Sequence, residues 1–96
     1  MKNIALEGAG SITLPLDISE TRGVGIMLSN DCPDGGYDIE VSLDGDVWAE
    51  LSTVTKVSSE PLFIDFTNVS ARYFRLLGPG DLTGTTITAM LVSQYS

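Results

Sequence analysis

The sequence predicts an all-β domain, a single antiparallel β-sandwich of about eight strands. Three observations predict it. Apolar and polar residues alternate with period two over several short runs, most cleanly where Tyr37, Ile39, Val41 and Leu43 interleave with Asp38, Glu40, Ser42 and Asp44. That spacing marks a strand with one buried and one wet face. Turn chemistry recurs between the runs at intervals of about 8–12 residues, and no window carries a helical period.

In chain order, Ile4 and Leu6 predict a first short strand closed by Gly8 and Gly10. Ile12, Leu14, Leu16 and Ile18 then alternate with Thr13, Pro15, Asp17 and Ser19. Pro15 cannot donate to a ladder, so this strand belongs at a sheet edge or is bulged there. After a turn over 19–23, Val24, Ile26 and Leu28 share one face, with Gly25 and Met27 on the other, as in a central strand. SNDCPDGG, residues 29–36, is a loop.

The run from Tyr37 to Leu51 reads as a hairpin around Asp44-Gly45-Asp46. A two-residue loop would waste half the buried face. A three-residue loop, with Gly45 or Asp46 left-handed, sets Leu43 against Val47, Val41 against Ala49 and Ile39 against Leu51, all inward, and turns Trp48 outward beside Ser42 and Glu50. Residues 53–59 follow as an edge strand or a crossing loop. Leu62, Ile64 and Phe66 alternate with Phe63 and Asp65; Phe74 and Leu76 point inward and Tyr73 and Arg75 outward; GPGDLTG is a second loop; and Thr85 to Tyr95 forms a last strand. Jelly-roll and immunoglobulin-like connections both accommodate this order.

Ninety-six residues make one domain, without a second lobe or a deep cleft between lobes. Five basic against thirteen acidic residues leave a net charge of −8. Lys2, Arg22, Lys56, Arg72 and Arg75 are too few and too scattered to displace counterions from phosphates, so neither nucleic acid nor an anionic membrane is expected as a partner. Cys32 is the only cysteine, which excludes an intramolecular disulfide. The N-terminal stretch has no continuous apolar run, so a product made in the cytoplasm without a signal peptide is expected.

The absence of histidine removes the usual triads and histidine metal sites. Cys32, next to Pro33 and without a cationic neighbour in sequence, reads as an inert thiol. No phosphate-binding glycine loop or metalloprotease motif is present, and no cofactor is expected. Asp31 and Asp34 in the first loop, and Asp44 and Asp46 around Gly45, are oxygen ligands of the kind a calcium ion takes, though in turns the same residues serve as backbone caps. Trp48, Phe63, Tyr73 and Tyr95 are the outward aromatics, and so the candidate partner-binding residues.

Three pieces, YDIEVSLDGDVWAEL, ARYFRLLG and ITAMLVSQ, resemble in order and spacing the C-terminal half of discoidin-type (coagulation factor C-type) domains. The Ser-x-Asp-Gly of Ser42, Asp44 and Gly45, Trp48 three residues on, and the Ala-Arg-Tyr-x-Arg-Leu of Ala71, Arg72, Tyr73, Arg75 and Leu76 carry the resemblance. It implies a trimmed, galactose-binding-like jelly roll. It carries over no sugar or lipid site, because the family's ligand loops lie mostly in the N-terminal half, which is compressed here. In type, an acidic sandwich without catalytic residues is similar to the accessory virion proteins of tailed bacteriophages. That similarity implies a non-enzymatic capsid decoration, cement, head-fibre or tail-attached protein, a homo-oligomer located in the virion and bound to major capsid or other head or tail subunits. The alternative is a lectin-like module that binds glycans through exposed aromatics.

Overall fold

The computed structural model describes residues 2–57, 60–67 and 69–93, the side chains of Lys2 and Ser93 aside. It contains β1 (Lys2–Leu6), β2 (Gly8–Ala9), β3 (Ile12–Thr13), β4 (Leu16–Asp17), β5 (Thr21–Leu28), β6 (Gly35–Ser42), β7 (Trp48–Lys56), β8 (Leu62–Thr67), β9 (Tyr73–Leu77) and β10 (Ile87–Ser93). One sheet runs β1-β10-β5-β8 and the other β2-β3-β9-β6-β7, with β4 also on β9. The pairings are antiparallel throughout.

The chain passes between the sheets at nearly every connection, and only the β6–β7 hairpin keeps two successive long strands side by side. With β3 and β4 counted as one interrupted strand and β2 as a spur on it, this is the jelly-roll path rather than the immunoglobulin-like one.

The interruption lies at Pro15. Ile12 faces Leu77 while Leu16 faces Phe74, so the β3–β4 side holds one residue more than β9. That bulge reverses the alternation expected for Ile12 and Leu14, while Leu16 and Ile18 beyond it are buried as expected. Thr13 is buried in their place, and its Oγ1 accepts the Leu76 N–H at 2.9 Å. Leu14 is left 48% exposed.

The core lies between the sheets. Val24, Ile26 and Leu28 of β5, Ile64 of β8 and Ile87, Ala89 and Leu91 of β10 pack against Tyr37 and Ile39 of β6 and Phe74 and Leu76 of β9. Phe66 meets Phe74 edge to face at 6.0 Å. Leu82, from the loop before β10, plugs one end of this core and is fully buried. Gly8 is required there, since a Cβ on it would lie 2.3 Å from the Leu82 carbonyl oxygen.

The hairpin corrects part of the expected core. Val41 does face Ala49, and Gly45 is left-handed with φ of 83°, but the ladder stops at Ser42–Trp48. Leu43 and Val47 are 75% and 73% exposed, and Ala49 is exposed as well. Ile39 faces Ser52 instead of Leu51, because Leu51 is an extra residue in β7 between the Glu40–Glu50 and Ile39–Ser52 pairs. As a bulged residue on an edge strand, Leu51 turns away from the core and is 42% exposed. β7, the hairpin's own second strand, is the sheet edge and runs on through residue 56, so 53–56 continue it and form no separate edge strand or crossing loop, and residues 58 and 59 lie outside the described ones. The last residue of β7, Lys56, is buried and reaches Asp34 at 3.0 Å.

Candidate ligand-binding face

β9, β6 and β7 lie side by side, and their registers align two rows of outward side chains. One row is Tyr73, Ser42 and Trp48; the next is Arg75, Glu40 and Glu50. The alternation that sends Phe74, Leu76 and Ile39 into the core forces these neighbours onto the opposite face. The Arg75 guanidinium lies 4.0 Å from the Trp48 ring centroid. Its Nη2 and Nε both reach Glu40 Oε1, at 2.7 and 2.8 Å. Trp48 is therefore half-buried, with a cation held in place against its ring.

Glu50, exposed, stands directly across the ladder from Glu40. Like charges in facing positions repel, and Arg75 neutralises only one of them. Tyr73 flanks the other side of Ser42, with the Arg72 guanidinium 5.4 Å from its ring centroid.

The loop beyond Ser42 is built by side-chain caps. Ser42 Oγ accepts the Gly45 N–H at 2.8 Å and donates to the Val47 carbonyl at 2.6 Å, while Asp44 Oδ1 accepts the N–H groups of Asp46 and Val47 at 2.9 and 3.0 Å. Gly45 comes so close to Tyr73 that a Cβ there would lie 3.3 Å from the phenol ring. Sequence, turn and aromatic face are thus one unit: the Ser-x-Asp-Gly turn places Trp48 on the sheet and presses against Tyr73. On the inner side of the same hairpin, Val41, Leu43, Val47, Ala49 and Ala71 line an apolar recess of about 410 Å3.

The other candidates separate. Phe63 is 58% exposed on the outer face of the opposite sheet, far from Trp48 and Tyr73 in the fold. Tyr95 lies outside the described residues. Arg75 and Glu40 complete the face and were not among the candidates. Their outward parity was readable, but their meeting with Trp48 depends on strand order.

The acidic candidates for calcium act as caps or ion pairs. Asp31 accepts hydrogen bonds from the Thr86 N–H at 3.1 Å and the Thr86 hydroxyl at 3.1 Å, and also from the Ser29 hydroxyl, tying the two large loops together. Asp34 pairs with Lys56, Asp44 caps its own turn, and Asp46 donates its N–H to Asp44. Among the described residues no group of three or more metal-ligating side chains converges. Burial pushes the Cys32 thiol up, away from the reactive thiolate. Burial likewise pushes the Tyr37 phenol up to about 12, and its hydroxyl donates to the Pro33 carbonyl at 2.6 Å.

The caps have a consequence in acid. Hydrogen bonds from the Val47 and Asp46 N–H groups hold Asp44 below its ordinary value of 3.8, and the Ser29 hydroxyl with the Thr86 N–H does the same for Asp31. N–H donors of Ser19 and Thr83 likewise lower Asp17 and Asp81. Each group binds a proton less readily folded than unfolded, so its contribution is complete above the unfolded value and is lost as pH falls through the folded one. Urea midpoints are expected to stay level above about pH 5 and to fall below about pH 4. Asp44→Ala should lower the upper plateau and flatten the acid limb, whereas an unchanged limb would show that the turn is held by other means.

No family model matches the sequence, and it matches none of the curated proteins. Solved structures do share its fold. Chitosan-binding module 1, from a chitosanase/glucanase of Paenibacillus sp. IK-5, is 22% identical with a TM-score of 0.53, over 91% of this chain and 70% of that one. CBM32-3 from a family 31 glycoside hydrolase of Clostridium perfringens is 16% identical with a TM-score of 0.53, over 96% and 74%. A chain assigned as an alpha-L-fucosidase of Bacteroides thetaiotaomicron is 18% identical with a TM-score of 0.59 over 95% of this chain, which spans about a fifth (21%) of that one. At these identities the likeness establishes the fold alone: this chain is an antiparallel β-sandwich of jelly-roll topology, the fold it shares with the chitosan-binding module and with CBM32-3.

Proposed function

We propose that this chain is a non-catalytic carbohydrate-binding module that holds sugar on the Trp48–Tyr73 face. The observation that carries the reading is a half-buried indole beside a fixed guanidinium–carboxylate pair. A pyranose ring presents an apolar C–H face edged by hydroxyls. Trp48 offers the apolar contact, and Arg75, Glu40 and Glu50 offer donors and acceptors already oriented for the hydroxyls. Likeness to modules of carbohydrate-active proteins favours this reading over the virion one.

Charge narrows the ligand. A net charge of −8, with Glu50 unpaired by any cation among the described residues, repels anionic glycans and attracts an amine. An amino sugar is therefore the preferred class, in keeping with the chitosan named for the Paenibacillus module. Titration with chitosan, cellulose and alginate oligosaccharides, read by fluorescence of the single tryptophan, tests this. Chitosan oligomers should bind in the order of 0.1 mM and weaken with added salt, neutral oligomers about tenfold less tightly, and alginate not at all. No response to any of the three overturns the reading.

A further inference from the structure

We propose that a depression over Gly23, on the outer face of the β1-β10-β5-β8 sheet, is a second binding site that takes a free amino acid, with Arg22 on its carboxylate and Asp65 on its ammonium group. The depression has a volume of about 320 Å3 and is lined by Arg22, Gly23, Asp65, Thr67 and Val92. It lies on the opposite sheet from Trp48, so it stands or falls apart from the glycan reading.

Two features of β5 build it. Val92 pairs with Gly23 and Ser93 with Thr21, which leaves Arg22 as an extra residue in the strand. A bulged residue departs from the alternation of its neighbours. Strict alternation would send Arg22 toward the core beside Val24; instead it is exposed and lines the same depression as Gly23. The floor is open for a second reason. Gly23 and Gly25 are successive outward positions, and the Phe63 ring already fills the space over Gly25, where a Cβ would lie 3.1 Å from its Cζ. A Cβ on Gly23 would meet only the Phe66 carbonyl oxygen at 3.4 Å and Val92 at 3.7 Å, which are ordinary contacts.

The charges decide what fits. Asp65 faces Gly25 across the ladder and Thr67 faces Gly23, so Asp65 and Arg22 stand on either side of Gly23 along the strands. Arg22 and Asp65 form no ion pair with each other, and neither has a partner among the described residues. A net charge of −8 repels a lone anion from Arg22, and Arg22 repels a lone cation from Asp65. A zwitterion is neutral as a whole and gives each side chain the charge it lacks. The Thr67 hydroxyl can donate or accept beside it, and Val92 offers an apolar wall. At about 30 Å3 for each water of the liquid, the space displaces on the order of ten waters, which suits a ligand of amino-acid size.

Leucine, isocaproate and isopentylamine share one carbon skeleton and differ only in their charged groups, so together they test the site. In nitrogen–proton correlation spectra of the full chain at neutral pH, leucine should shift the amides of Gly23, Thr67 and Val92 with half-saturation at about 1 mM. Each one-charge compound should bind about fivefold more weakly, the scale of one exposed ion pair. Trp48 fluorescence should not respond to any of the three. Arg22→Gln should bring leucine down to the affinity of isopentylamine, and Asp65→Asn to that of isocaproate. Gly23→Ala, folded by circular dichroism, puts a methyl on the floor and should abolish the shifts. Spectra unmoved by leucine at about 20 mM overturn the proposal. So do equal affinities for the three compounds, or wild-type leucine binding in either Arg22→Gln or Gly23→Ala.

Discussion

Asp34→Ala is expected to cost about 3 kcal/mol, the low end of the range for stranding one charge of a buried pair. The Lys56 side chain is entirely buried, and its ammonium lies 3.0 Å from Asp34 Oδ1, on a carboxylate side chain that is 42% exposed. The two partners are therefore not equivalent. Removing Asp34 leaves an ammonium in the interior, whereas removing Lys56 leaves a carboxylate that can turn to water. Lys56→Met keeps the aliphatic stem and deletes the buried charge, so it should change stability by less than about 1 kcal/mol in either direction. For a domain of this length the Asp34→Ala loss corresponds to a drop of roughly 15 °C in melting temperature, readable by calorimetry. Equal losses in the two variants would mean that the pair itself, rather than the desolvated lysine, sets the cost.

Trp48→Ala should weaken glycan binding by about 50-fold or more, while leaving the fold in place, since indoles at the centre of a contact dominate its energy. Arg75→Met should weaken it about tenfold by a different route. The guanidinium is what holds Glu40 while Glu50 faces it across the ladder, so without Arg75 two bare carboxylates confront each other beside the indole. Arg75→Lys keeps the charge but loses the two-nitrogen grip on Glu40 Oε1, and should fall between wild type and Arg75→Met. Both partners of the ion pair are partly exposed, so the stability change is expected to stay within about 1 kcal/mol. Calorimetric titration with chitosan oligomers on all three variants separates the effects. Unaltered affinity in Trp48→Ala would move the sugar site off this face, with the recess lined by Val41, Leu43 and Val47 as the next place to look.

Local alternation alone determined most of the faces. Val24, Ile26 and Leu28 are inward in a central strand, Phe74 and Leu76 inward against Tyr73 and Arg75 outward, Trp48 is on the outer face, and the chain is broken at Pro15. Each follows from the period of a strand or the missing N–H of a proline, properties carried by a few neighbouring residues. What only the tertiary structure decided depends on atoms distant in sequence. Leu43 and Val47 keep an inward pattern, but burial needs a facing sheet, which the hairpin end lacks, and the bulge in β7 turns Leu51 away from the core. Lys56, in a run that reads as polar edge, is buried because Asp34, 22 residues earlier, is there to meet it. The jelly roll itself, and with it the meeting of Arg75 with Trp48 and Glu40, rests on strand order. Strand order is settled by which sheets bury each other's faces, and a period-two run is the same whichever neighbours it acquires.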